Sequence, residues 1–243
     1  MIQHRLTFCI VSRASSSSSM LRCVQSVLEH VPTAAVELRL GFTKADHGFY
    51  HLLGALCPDR VVAEHQQLPS GIERFSWTRT GEVPIRTWTL GTQSDRLLPR
   101  AILHDVPLAT PYVVHLADSV SLQTGWWNAI APLLDDGAEF IGMPSWHEYA
   151  PQQMEDLQNF AWYMGVPFER RDSRSGISFM NPNFMVLKSE GLQQAGFPDS
   201  HPMKRRETDV MASDAVLLGE IAHQLGWKMA TFAEHIASWD TPK

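Results

Sequence analysis

The stretch Tyr112-Val113-Val114-His115-Leu116-Ala117-Asp118-Ser119-Val120 decides the fold. Its apolar start reads as a buried strand. A carboxylate is costly inside a sheet, so Asp118 marks where that strand ends. At the carboxyl end of a strand in an open α/β sheet, it meets the crevice where such sheets bind ligands. The alternative is structural. Asp and Ser are the usual capping residues, and Asp118 would then cap a turn or the following helix.

Upstream, strands and helices alternate. Leu6-Thr7-Phe8-Cys9-Ile10-Val11 reads as a buried strand, and Ser12 to Ser19 as a polar loop with five consecutive serines. Met20, Val24, Val27, Leu28 and Val31 recur at helical spacing until Pro32 stops the helix. Val36-Glu37-Leu38-Arg39-Leu40 alternates as a second strand, Phe49 to Leu56 reads as a helix, and Arg60 to Ala63 as a third strand. Residues 66 to 94, rich in Gly, Pro, Ser and Thr, read as an irregular excursion over the surface. Ser94 caps a helix expected to run to about Pro107.

Downstream of Asp118, a helix carries Trp126, Trp127, Ile130 and Leu133, and Phe140-Ile141-Gly142 is a short strand. Trp146 to Tyr163 is aromatic, polar and partly helical in pattern, and Phe168 to Ser178 reads as a mobile loop. Asn183 to Leu187 is a strand, Ser189 caps a short helix closed by Gly196, and Asp199 to Glu207 is a polar loop. A helix from about Thr208 to Leu225 stops at Gly226, and Trp227 to Phe232 is a last strand. The rhythm implies an α/β fold with a mostly parallel sheet flanked by helices. No linker separates two domains, so residues 1–243 are expected to form one.

The chain is 44% hydrophobic and 19% charged, with net charge −6. That is an ordinary globular composition, without the global positive charge of a nucleic-acid binder. Cys9, Cys23 and Cys57 are few, odd in number and lack CxxC spacing, as expected of reduced core thiols in a cytoplasmic protein. The run Leu6–Val11 is too short for a signal peptide. No segment approaches the roughly 20 apolar residues of a spanning helix. His47 and His51 are four apart without an HExxH acid, and no GxGxxG, P-loop or GxSxG is present.

Asp214 is the second candidate. It lies on the same helical face as Leu217, Leu218, Ile221 and Leu225, which are expected to be buried. A carboxylate there faces a cleft or is paired, and partial desolvation in a cleft would suit it to general-base work. Alternatively it is an acid favoured by a helix N-terminus. Asp209, one turn earlier, competes for the role. Arg170, Arg171, Arg174, Lys204, Arg205 and Arg206 lie in expected loops. They are either solvated charge or guanidinium forks for phosphate oxygens.

From Leu6 to about His235, these pieces in this order resemble a GT-A glycosyltransferase of the broad family 2 type, a nucleotide-diphospho-sugar transferase-like fold. Ser12-Arg13 stands where that family begins its nucleotide-sugar pocket. Asp95 to Arg100, followed by the Tyr112 strand, resembles the run before its acidic DxD motif. Leu116-Ala117-Asp118-Ser119 occupies the DxD place in degenerate form, since only Asp118 is acidic. Asp214 to Gly226 resembles the late helix that carries the catalytic base. The acids that often follow the second strand are replaced by Leu40-Gly41-Phe42-Thr43.

The resemblance implies an inverting transfer of a sugar from a nucleotide-sugar donor to an acceptor hydroxyl. Asp214, or else Asp209, is the implied base. Ser12, Arg13, Arg96, Arg100, Asp118, Ser119 and Arg205 are the implied donor-binding residues. Residues 1–143 form the nucleotide-sugar-binding half and 144–243 the acceptor-binding half. A divalent metal, Mg²⁺ or Mn²⁺, would be held by Asp118 and His235, and the lone acid implies weak or absent metal dependence. The acceptor stays open between a glycan, a small molecule and a hydroxymethylated DNA base. A non-catalytic nucleotide-sugar or glycan-binding module is the other class of function.

Overall fold

A computed structural model describes residues 5–11, 17–30, 36–42, 54, 61–68, 72–78, 84–90, 105–147, 155, 158–159, 177–190, 219, 222–223, 225–232 and 236–239. In chain order the elements are β1 (Leu6–Val11), α1 (Ser17–His30), β2 (Val36–Phe42), β3 (Val61–Gln67), β4 (Ile72–Thr78), β5 (Ile85–Leu90), β6 (Tyr112–Ala117) and β7 (Val120–Leu122). There follow α2 (Trp126–Asp135), β8 (Phe140–His147), β9 (Ile177–Lys188), β10 (Met229–Thr231) and β11 (Ala237–Trp239).

Nine strands form one sheet in the order β10-β8-β9-β6-β1-β2-β5-β4-β3, while β11 and β7 form a separate pair. At its centre β6, β1, β2 and β5 are parallel, so their carboxyl ends share one edge. β9 runs antiparallel between β6 and β8, and the β3–β4–β5 meander is antiparallel. The sheet is therefore more evenly mixed than the expected mostly parallel one.

One face carries the larger core. Met20, Cys23, Val24 and Val27 of α1 and Trp126, Ile130 and Leu134 of α2 pack on Leu6, Phe8 and Ile10 of β1 and their neighbours. Trp126 meets Phe8 edge to face, with centroids 5.7 Å apart. Its indole N–H donates to the carbonyl of His30 at 3.1 Å, so the buried ring leaves no orphaned donor. On the other face Cys9, Trp88, Val113, Met185 and Leu187 pack with Ala222 and, at their margin, Val106, Leu108 and Trp227.

Several expectations change. Residues 66–94 are no surface excursion: they include β4 and β5, and Trp88 is fully buried. Helix α1 takes in the last three serines, starting at Ser17, and Leu28 of its expected stripe is exposed. Residues 105–107, at the end of the helix expected from Ser94, are not helical, and Arg39 donates to the carbonyls of Val106 and Pro107, while residues 94–104 lie outside the described residues. β8 runs on to His147 and β9 begins at Ile177, so the sheet absorbs residues expected to be helix and loop. These two strands brace each other through a bulge between Gly142 and Pro144. Most of the expected helices 49–56 and 208–225 lie outside the described residues. Gly226 does close the later one, in the left-handed region at φ 67°, with Trp227 N–H donating to Ala222 O and Gly226 N–H to His223 O. That pairing is a Schellman cap. No helix among the described residues is long and apolar enough to cross a membrane.

Two predictions follow from the packing at β8 and β9. A Cβ at Gly142 would lie 2.9 Å from Met180 Cβ, an atom tied to the facing backbone. Gly142→Ala should therefore cost about 1–3 kcal/mol in urea unfolding.

At the amino end of β8, Glu139 accepts from Lys188 Nζ at 2.8 Å and from the Lys228 N–H at 3.2 Å. The bond from Lys188, then that from Lys228, holds its carboxyl below the ordinary 4.5. A depressed acid contributes stability that is present above its ordinary value and is lost as pH falls through the lowered one. Glu139→Gln should flatten that part of the acid limb in a pH series of thermal melts and leave neutral-pH folding cooperative.

Candidate functional site at the carboxyl edge of the sheet

Asp118 directly follows β6, beside the end of β1, where Val11 is in register with Ala117. The chain passes from β1 to β2, goes out to β3 at the edge of the sheet, comes back inward through β4 and β5, and then places β6 on the other side of β1. The β1/β6 boundary is thus the topological switch point, where open α/β sheets leave a crevice beyond the strand ends. Asp118 and Ser119 make the turn there, Asp118 buried at 8% exposure and Ser119 half-buried.

Helix α1 fixes that turn from behind. The Cys23 thiol donates to the Ala117 carbonyl at 3.7 Å, and the Leu122 N–H donates to Ser26 Oγ at 3.0 Å. On the far side β7 pairs with β11 in the register Val120 with Trp239 and Leu122 with Ala237. The late segment of the chain therefore lies along the strand that leaves Asp118.

A second polar group lies beneath the sheet. The pattern of β2 suggested an ordinary alternating strand, yet Glu37 and Arg39 are buried. Arg39 donates to Val106 O at 2.7 Å, Pro107 O at 2.9 Å and Glu37 Oε2 at 2.9 Å. It also lies over the Trp88 ring, 5.9 Å from its centroid. Arg86 pairs with the same Glu37. Arg74 donates to Asp105 at 2.8 Å, and the Trp88 indole N–H to that carboxylate at 3.0 Å. Burial pulls Arg39 and Arg86 below the usual guanidinium range and pushes the Cys9 thiol up to about 12. Cys9 and Cys23 are buried and outside any disulfide, as the cysteine count suggested. The signal missed in the sequence was the charge on β2, β4 and β5, which reads as a solvated face.

Of the residues singled out from sequence, the structure describes Asp118 and Ser119. Ser12, Arg13, Arg96, Arg100, Arg205, Asp209, Asp214 and His235 lie outside the described residues. On the late helix Ala222 is buried, but Leu225, expected in the apolar stripe, is half exposed at the closing turn. The described residues contain no group of three His, Cys, Asp or Glu that could hold a metal ion. Beside Asp118 stand Ala117 and Ser119, which add no second carboxylate, so the described donor set does not make a Mg²⁺ or Mn²⁺ site.

No family model matches the chain, and no curated protein matches it in sequence. Solved structures do match it in fold. A mannosyltransferase from Pyrobaculum calidifontis, in complex with GDP-mannose and Mn²⁺, aligns over 100% of this chain and 59% of its own, with TM-score 0.61 and 14% identity. Residues 1–349 of TarS from S. aureus align over 95% of this chain and 58% of theirs, with TM-score 0.55 and 9% identity. A TarS complex with UDP-GlcNAc aligns with TM-score 0.54 and 10% identity. The chain thus spans about three fifths of these structures. It has the GT-A fold of the nucleotide-sugar glycosyltransferases.

Arg39→Met keeps the length of the side chain and removes its donors, leaving the Val106 and Pro107 carbonyls unmet. Breaking one member of a buried charge group costs about 3–5 kcal/mol. Urea unfolding of the variant should show a loss near the lower figure, since Arg86 still faces Glu37.

Proposed function

We propose that the protein is an inverting glycosyltransferase that uses a nucleotide-sugar donor. The observation that carries this reading is the place of Asp118: the carboxyl end of β6, at the switch point of a GT-A sheet. The solved structures of like fold include complexes with GDP-mannose and with UDP-GlcNAc.

In the proposed reaction an acceptor hydroxyl attacks the anomeric carbon of the donor. The new C–O bond forms as the bond to the diphosphate breaks, and the nucleoside diphosphate leaves with its electron pair. Asp214 takes the hydroxyl proton, with Asp209 its competitor one turn earlier. Asp118 and Ser119 orient the donor, and Ser12, Arg13, Arg96, Arg100 and Arg205 are assigned to the nucleotide and phosphates. Guanidinium groups there would stabilise charge on the departing oxygens. Residues 1–143 serve the donor and 144–243 the acceptor.

The experiment is a screen of UDP-, GDP- and TDP-sugars for thermal stabilisation, then turnover with the stabilising donor. A ligand at 100 times its Kd adds about 2.7 kcal/mol. Asp214→Asn keeps shape and donor binding but removes the proton acceptor, so turnover should fall about 10²–10⁴-fold. Asp209→Asn should be milder. Donor binding without turnover of any acceptor, in the wild-type protein, would replace the enzyme by a nucleotide-sugar-binding module.

A further inference from the structure

Cys23 and Ser26 are three residues apart in α1 and so share one helical face. Both side chains are buried, and both meet the short segment that contains Asp118. Cys23 donates to Ala117 O, just before the acid, and Ser26 Oγ accepts from Leu122 N–H, four residues after it. The Ser26 hydroxyl proton is itself committed, donating to Cys23 O at 2.8 Å. A hydroxyl has one proton and two lone pairs. With the proton directed into its own helix, Ser26 presents a lone pair to β7.

We propose that Ser26, with Cys23 one turn before it, is a positioning residue for Asp118. The turn is gripped on both sides by a single rigid helix, and the paired register of β6 on β1 fixes its start. Alanine would fill nearly the same space. A hydroxyl is required because the Leu122 N–H needs an acceptor, since a buried N–H left without one costs about 1–3 kcal/mol. Loss of that grip shifts the turn, and an acid displaced by a fraction of an ångström orients a donor poorly. The proposal rests on Asp118 acting at the donor site.

Ser26→Ala tests it in the full-length protein. Amide hydrogen exchange in a peptide spanning 117–122 should rise at least about tenfold, since one bracing bond is gone. Turnover at saturating donor and acceptor should fall by about tenfold, with the acceptor KM unchanged. Ser26→Thr, which keeps the back-bonded hydroxyl, should restore both. In an Asp118→Asn background Ser26→Ala should cost nothing further, because residues that act through one another are not additive. Glu139→Gln, at the opposite edge of the sheet, should leave turnover unchanged. Wild-type turnover in Ser26→Ala, or losses that multiply with Asp118→Asn, overturns the proposal. A wild-type protein that turns over no nucleotide sugar overturns the glycosyltransferase reading instead. Exchange at 117–122 then judges Ser26 alone, and unchanged exchange overturns it.

Discussion

A guanidinium buried beneath the middle of a sheet must find an oxygen for its donors, and Arg39 finds them on two elements. Glu37 lies on its own strand, and the Val106 and Pro107 carbonyls lie on the segment that leads into β6. The constraint then propagates. With residues 106–107 held, Thr110 reaches Thr7 across 2.6 Å, which seats the start of β6 against β1. The register from Leu6 with Tyr112 to Val11 with Ala117 follows, and Asp118 emerges at the end of β1. An interaction deep in the sheet thereby sets where the carboxylate appears at its edge. Net stability from such buried charge is small, because desolvation offsets the attraction. Its contribution is to fix one arrangement of the crossover.

The central strands were legible because burial on both faces left continuous apolar runs. Leu6–Val11 and Tyr112–Ala117 read as strands without ambiguity. β4 and β5 were not legible for the opposite reason. Their buried residues include Arg74, Ser76, Thr87 and Thr89, and alternation with such residues looks like solvent. Local polarity was a guide to exposure only where no partner existed. Here Glu37, Asp105 and Glu64 were partners, supplied by segments distant in sequence. The continuation of β9 back to Ile177 was hidden similarly, because Asn181, Pro182 and Asn183 interrupt an otherwise apolar strand.

The candidate site divides along the same line. Asp118 was legible because an acid that follows an apolar run has few places to go. Ser26 was not, because a serine on an apolar helix face carries no sign of what it meets. Its partner, the Leu122 N–H, is a backbone group, and backbone groups are invisible to residue type. The assignment of a base to Asp214 drew on periodicity over residues 214–225. At the end of that helix Ala222, four residues after Leu218 and so on the same expected face, is buried, while Leu225 lies in the closing turn and is half exposed.

On the proposed reading Asp118 faces the donor with no second acid beside it in sequence, which constrains the chemistry further. Two like charges 4 Å apart repel by about 4 kcal/mol at the effective dielectric of a protein surface. Asp118 set directly against a diphosphate would therefore weaken donor binding. In a site with paired acids a divalent cation stands between the two and reverses the sign. With Ala117 and Ser119 as neighbours, that reversal needs positive charge from elsewhere in the chain. On the proposed reading Arg13, Arg96, Arg100 and Arg205 supply it, and each would be worth more as a bidentate fork than as a point charge. Asp118 is then best used against hydroxyl groups of the donor, which it can accept from without facing the phosphates. The Cys23 and Ser26 grip matters most in that arrangement, because a hydrogen bond to a hydroxyl is directional and a Coulombic contact through a cation is not.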